Sequence, residues 1–205
     1  RNFEHDARGQ LLATILPAVA DAEQGGALTR PRFETEYDDY GSARVIRDPK
    51  GQSTRMAYDE AQRLVARTLP LGQTERMTYD DLGRLQRHTD FKGQATAFTY
   101  DALGRIARKQ FFAAGSNAPS ASVDLTYDAL GQVRKVTDEH GATEYAYDRD
   151  GRIVEVRSPE GTVGYDYDPA TGLRSRVFTA FSDARYAYDE LGRLQRVTVL
   201  RRNGV

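Results

Sequence analysis

The residues with most chemistry to offer are eight Tyr-Asp pairs. They stand at Tyr37-Asp38, Tyr58-Asp59, Tyr79-Asp80, Tyr100-Asp101, Tyr127-Asp128, Tyr147-Asp148, Tyr167-Asp168 and Tyr188-Asp189. A repeated carboxylate can act as an acid or base, or hold a hard cation. Asp38-Asp39, Asp80-Asp81 and Asp148 with Asp150 are the best calcium candidates. None sits in an Asp-x-Asp-x-Asp-Gly loop with a distal Glu. The other reading is structural: each Asp accepts the N–H groups of a turn, or pairs with an Arg four residues on. Tyrosine rings can stack on sugars or bases, or form a half-buried packing ladder. A residue that every unit demands normally serves the unit, which favours the structural reading of both types. Tyr165 and Tyr186, each two residues before a Tyr-Asp pair, are the candidates for ligand contact.

Other chemistry is thinly supplied. The chain has three histidines, His5, His88 and His140, and no cysteine. That leaves no disulfide, no thiolate and little material for a zinc site. A nucleophile elbow, a phosphate loop and a His-Glu-x-x-His motif are all missing. No catalytic residue, metal or cofactor is expected. The 205 residues carry 29 basic and 30 acidic side chains, a net charge of −1. That balance argues against a nucleic-acid partner. The longest apolar run, Leu11 to Ala20, is interrupted by Thr14 and Pro17, too short to span a membrane. The opening Arg-Asn-Phe-Glu-His-Asp has no apolar leader segment.

The elements that must position the pairs follow from the spacing. Successive Tyr-Asp pairs are 21, 21, 21, 27, 20, 20 and 21 residues apart. Four residues after Tyr comes Gly41, Gly83, Gly104, Gly131, Gly151 or Gly192. The second unit has Gln62 there, and the seventh delays its glycine to Gly172. A second glycine follows at 51, 72, 93, 141 and 161, after Asp or Pro in most units. Two turns about ten residues apart leave segments of strand length, too short for helices. Before each pair the apolar positions alternate, as in Met77/Tyr79 and Tyr145/Tyr147, the period of a strand. The strands after the first turn mix Arg, Val, Thr and Gln, and predict a sheet wet on much of both faces.

The fold class expected is all-β: a repetitive antiparallel hairpin meander of about 16 to 18 strands, forming a curved or spiralling strip. It forms one array over residues 1–205. A degenerate first unit covers 1–36, with His5 in the place of Tyr and extra residues between Pro17 and Pro31. Regular units fill 37–205, with a loop insertion at about 111–122. The unpaired ends of such a strip invite edge-strand self-association.

The unit resembles the YD repeat of the Rhs family. Its clearest copies are Tyr79-Asp-Asp-Leu-Gly-Arg-Leu85, Tyr100-Asp-Ala-Leu-Gly-Arg-Ile106 and Tyr188-Asp-Glu-Leu-Gly-Arg-Leu194. The family includes bacterial Rhs polymorphic toxins, C components of insecticidal Tc toxins, wall-associated proteins and teneurins. The resemblance implies a β-strip that spirals into part of a hollow shell. It also implies secretion from, or display on, a bacterial cell. The implied partners are the remainder of a parent chain and an enclosed C-terminal toxin domain. Asp168-Pro-Ala-Thr-Gly-Leu173 resembles a string in the core-associated segment of toxin members. An ordinary unit follows it, so it reads as a repeat variant. The expected function is a shell segment without catalysis. The alternative is an extracellular module that binds carbohydrate or a cell surface through Tyr165 and Tyr186.

Overall fold

The computed structural model describes residues 1–21 and 25–201. Every regular element among them is a β-strand. Chain contacts define two bodies, residues 1–97 with 111–118, and residues 98–110 with 119–205.

The first body holds β1 (Asn2–His5), β2 (Leu11–Ile15), β3 (Val19–Asp21), β4 (Ala27–Thr29), β5 (Arg32–Tyr37), β6 (Ala43–Arg47), β7 (Ser53–Tyr58), β8 (Leu64–Thr68), β9 (Thr74–Tyr79), β10 (Leu85–Thr89) and the start of β11 (Ala95–Tyr100). β1 pairs with β2 and β2 with β5. From β5 each strand pairs antiparallel with the next as far as β11. β3 and β4 form a separate ribbon inside the expected 17–31 insertion, whose residues 22–24 lie outside the described residues. Its base is closed by the Leu16 N–H, which donates to the Pro31 carbonyl.

The second body holds most of β12 (Ile106–Phe112), then β13 (Ala121–Tyr127), β14 (Val133–Asp138), β15 (Gly141–Tyr147), β16 (Ile153–Ser158), β17 (Gly161–Tyr167), β18 (Arg174–Phe178), β19 (Ser182–Tyr188) and β20 (Leu194–Arg201). From β13 onward each strand pairs antiparallel with its successor. The described residues thus hold 20 strands, more than the expected 16 to 18. The surplus includes the β3–β4 ribbon. The insertion is also narrower than 111–122. Phe111 and Phe112 extend β12, and Ala121 and Ser122 open β13. Phe112 is buried, with the Arg87 guanidinium 4.2 Å above its ring, which repays its place in a strand.

One turn recurs. In the unit of Asp80, the Gly83 N–H donates to the Asp80 carbonyl and the Asp80 N–H to the Arg84 carbonyl. This is a type I turn closed by a left-handed residue, usually glycine. Gln62 occupies that position at φ 61, the only non-glycine with positive φ among the described residues. The Ser42 hydroxyl donates to its side-chain oxygen at 2.9 Å and holds it in place. Gln62→Gly should therefore raise stability by about 0.5–1 kcal/mol, read as an upward shift of the urea midpoint. The reverse applies at Gly192, with φ 75 and only Leu173 near its missing Cβ, at 3.6 Å. Gly192→Val should cost more than about 1 kcal/mol through the backbone alone.

The second turn of the unit explains the repeat length. After β6, β8 and β10 it is again the longer form, as in the Gly93 N–H to Asp90 carbonyl bond. After β14 and β16 it shrinks to two residues, because Asp138 pairs directly with Gly141 and Ser158 with Gly161. The steps of 20 are the units with the shorter loop.

Beside Tyr37, Tyr58, Tyr79, Tyr127, Tyr147, Tyr167 and Tyr188 the ladder carries a bulge. Tyr147 faces Ile153 while Ala146 faces Glu155, so Val154 is extra. The bulge resets the alternation. Ile153 and Val156, three residues apart, both come to the tyrosine face. The second body therefore has a face with the rows Leu125–Val136–Thr143, Tyr145–Val156–Val163 and Tyr165–Val177–Ala184. Its other face carries Lys135–Glu144–Arg157 and Arg176–Arg185. The expected sheet, wet on much of both faces, is more segregated than a strict period of two suggests, because the bulge gathers aliphatics on the tyrosine face, where they stay half-buried. Neither body has a thick core. The buried apolar side chains among the described residues are Ala13, Val45, Ala95 and Phe112, all in the first body. Stability must come from lateral contacts between neighbouring strands.

Candidate functional site

The repeated residues build one motif. In the Asp59 unit, Oδ1 accepts the N–H groups of Ala61 and Arg63, and Oδ2 accepts from the Arg63 guanidinium at 2.8 Å. The same pattern holds at Asp80, Asp101, Asp148 and Asp189 with Arg84, Arg105, Arg152 and Arg193. Asp38 and Asp128 make the turn bonds only, because Ser42 and Gln132 replace the Arg. Asp168 takes a turn one residue longer, with the Gly172 N–H on its carbonyl and both the N–H and hydroxyl of Thr171 on Oδ1. These bonds favour the charged form. The backbone N–H of the Arg, then its side chain, hold Asp59, Asp101, Asp148 and Asp189 below the usual carboxylate range. At Asp80 partial burial pulls upward, and the Arg84 bonds outweigh it. Thr171 lowers Asp168.

Seven of the eight Tyr-Asp tyrosines are seen to reach back to the preceding unit. The hydroxyls of Tyr37, Tyr58 and Tyr79 donate to the carbonyls of Leu11, Ala43 and Leu64. Those of Tyr127, Tyr147, Tyr167 and Tyr188 donate to Ile106, Val133, Ile153 and Arg174. The acceptor is always the first residue of a strand, beyond the last ladder pair on that side. The phenol satisfies a carbonyl that the ladder leaves over. Burial raises the Tyr58 and Tyr147 phenols. The Arg of one unit also roofs the Tyr of the next. Arg63 lies 4.7 Å from the Tyr79 ring, Arg105 4.3 Å from Tyr127 and Arg152 4.7 Å from Tyr167. Tyr100 and Asp101 bracket the end of β11, and Gly104 takes the turn position with its N–H on the Asp101 carbonyl. Gly41, Gly131 and Gly151 occupy the same position in their turns.

The ladder separates two kinds of tyrosine. Tyr147, Tyr167 and Tyr188 spend their hydroxyls on backbone. No hydrogen bond engages the hydroxyls of Tyr145, Tyr165 and Tyr186 among the described residues. Arg174 lies 4.9 Å from the Tyr186 ring. Tyr147→Phe should therefore cost about 1 kcal/mol, and Tyr145→Phe close to nothing, in matched urea denaturations.

Other chemistry is sparse. Among the described residues no three His, Asp or Glu side chains converge on a point that could hold a metal. A groove of about 530 Å³ in the second body is lined by Tyr127, Arg134, Lys135, Tyr145, Glu155 and Arg157 among others, and by neither Tyr165 nor Tyr186. Two charged clusters escaped the sequence reading. Glu75, buried in the first body, takes Arg67 and lies 3.2 Å from His88 Nε2. Asp183, buried in the second, receives a two-pronged contact from Arg176 at 2.8 and 2.9 Å. Arg176 also roofs the Phe178 ring, which lies flat on Gly164. These residues differ from unit to unit, so the repeat does not point to them.

Fold and motif together define a hairpin-repeat protein whose tyrosine, aspartate and arginine link each unit to the next. The RHS Repeat family model matches residues 37–74, 79–110 and 127–163, just over half of the chain. The chain belongs to the RHS repeat family. Among solved structures it is similar to a chain of the Photorhabdus luminescens Tc holotoxin pore, at 16% identity and a TM-score of 0.60, covering 95% of this chain and 14% of that one. It is also similar to chains of TcdB2-TccC3, at 16% identity, TM-score 0.62, covering 97% of this chain and 11% of that one, and of TcdB2-TccC3-TEV, at 17% identity, TM-score 0.62, covering 98% and 14%. The chain thus spans about a seventh or less of these structures' lengths. No curated protein sequence matches it.

Proposed function

We propose that this chain is a wall segment of a YD-repeat shell, a scaffold with no catalysis of its own. Its partners are further repeats of a parent chain and a C-terminal toxin domain that the shell encloses. The protein is secreted by, or displayed on, a bacterium. One observation carries the reading. The repeated Tyr, Asp and Arg side chains turn inward on the strip's own turns and carbonyls, so the feature that every unit shares is spent on joining units. The glycines from Gly41 to Gly192 serve the turns of the same strip. The similarity to Tc toxin structures supports this choice among repeat proteins. Reading the gene on both sides of the segment tests it. A long run of further Tyr-Asp units and then a distinct terminal domain is the expected result. Passage into a wall or membrane anchor soon after Val205 would overturn it.

A second reading is favoured by the unengaged hydroxyls of Tyr145, Tyr165 and Tyr186. Three phenols on one face of the second body could bind glycans of a cell surface. Glycan binding that is lost in the Tyr165→Ala/Tyr186→Ala double variant would support it, and an empty glycan panel would remove it.

A further inference from the structure

The first body carries an acid-free patch of arginines. Arg55 and Arg76 stand three residues before Tyr58 and Tyr79, so the strand period puts them on the face opposite those rings. Arg87 faces Thr78 and joins them. Each arginine meets a threonine across the ladder, Arg55 with Thr68, Arg76 with Thr89 and Arg87 with Thr78. Alanines hold the positions between them, at 57, 66, 95 and 97. The carboxylates of this stretch lie elsewhere. Glu75, four residues before Tyr79, is on the tyrosine face, and the others belong to the turns. Earlier on the same face the arginines are spent, Arg32 on Glu4 and Glu34, and Arg47 on Glu36. Arg55 and Arg76, by contrast, are exposed and have no acid, carbonyl or ring against them among the described residues. Arg87 lies 4.2 Å over the Phe112 ring, and no hydrogen bond takes its N–H groups or the Thr78 and Thr89 hydroxyls among the described residues. Strand and residue spacings put the Cα atoms of Arg55 and Arg76 about 12 Å apart, and those of Arg76 and Arg87 about 8 Å, along one diagonal.

We propose that this face binds an acidic polysaccharide, a linear sugar chain bearing sulfate or carboxylate groups. Charge complementarity selects the occupant, because three cations stand together in a chain whose total charge is −1. A guanidinium presents a planar fork of donors that takes a carboxylate or sulfate with two N–H groups at once. The threonine beside each fork offers a hydroxyl to the neighbouring sugar. The alanines keep the floor low, so the chain can lie against the sheet while the guanidinium groups rise beside it. Nucleic acid is the poorer occupant. The face offers no open ring on which a base could stack, since Phe112 is buried beneath Arg87. The site is distinct from Tyr145, Tyr165 and Tyr186, which belong to the second body and bring no charge. It does not rest on the shell reading.

The test titrates the 205-residue chain by calorimetry with fragments of heparin, hyaluronan and dextran, the sulfated, carboxylated and neutral probes. At least one acidic chain is expected to bind, and dextran is not. Raising the salt from about 50 to about 200 mM should weaken binding about ten-fold, the share of three ionic contacts. Arg55→Gln/Arg76→Gln should weaken it about ten-fold or more. Circular dichroism should stay unchanged, because neither side chain holds the fold. Arg134→Gln/Arg149→Gln removes the same charge from exposed arginines of the second body, and should change affinity by less than about two-fold. No binding of either acidic chain at low salt, equal binding of dextran, or full binding by the Arg55/Arg76 variant would overturn the proposal. Equal losses in the two double variants would do the same, since net charge alone would then explain the binding. A DNA duplex that binds more tightly than both acidic chains would make the face a nucleic-acid site instead. Loss of binding in Tyr165→Ala/Tyr186→Ala would move the site to the second body and overturn the assignment.

Discussion

Gly164→Val is expected to lower stability by about 2–3 kcal/mol. A Cβ at Gly164 would lie 2.3 Å from Phe178 Cζ and within 2.8 Å of both Cε atoms. The ring cannot step aside cheaply. Arg176 lies 4.3 Å over it, and Arg176 is itself held by the two oxygens of buried Asp183. Moving Phe178 disturbs a buried carboxylate and its cation, and such pairs are costly to break. The penalty is steric, since Gly164 has no unusual backbone conformation to defend. Phe178→Ala should therefore rescue much of the loss. A double-mutant cycle in urea should return a coupling above about 1 kcal/mol. Additive losses would mean that the ring does not rest on the glycine.

Acid should unfold the protein steeply. Asp59, Asp80, Asp101, Asp148, Asp168 and Asp189 all lie below their ordinary value of 3.8 in the folded chain. Asp124, clamped by Arg108, joins them. For groups held below their unfolded value, the stability they add is complete above that value. It is lost as the pH falls through the folded values. The window therefore lies below 3.8, and the slope grows with the number of groups releasing together. These carboxylates are half-buried and not enclosed, so salt will weaken the arginine share and spare more of the share from turn N–H groups. A urea midpoint followed from pH 7 to pH 2 should stay level to about pH 5 and then collapse. A midpoint unchanged between pH 5 and pH 2.5 would show that the Asp turns contribute nothing.

Much of this was legible in the sequence because the repeat averages out local ambiguity. A single Tyr-Asp-Asp-Leu-Gly-Arg is weak evidence; several copies at a near-constant step fix turns and strands together. What stayed hidden has physical causes. The bulge beside these tyrosines adds a residue without changing composition, so Ile153 and Val156 read as lying on opposite faces. The seventh step is 21 residues, like the first three, for a different reason. A two-residue loop at Ala180-Phe181 shortens the unit, and the extra residue before Gly172 restores it. Equal lengths concealed unequal turns. The cluster of Gly164, Arg176, Phe178 and Asp183 occurs once, and a reading built on recurrence passes over what occurs once. The role of Arg was half legible. Its pairing with the Asp four residues earlier was an open alternative, whereas its seat over the next unit's ring needs the register.

The joints between units have a direction. The carbonyl acceptor and the arginine roof belong to the earlier unit, and the phenol that uses both belongs to the later one. A ribosome releases the earlier unit first. Each finished hairpin is thus a template already in place when the strand that reads it emerges, and loop closure never has to reach beyond the neighbouring unit. Assembly can proceed like the growth of a polymer by addition at one end, with few opportunities for distant strands to pair out of order.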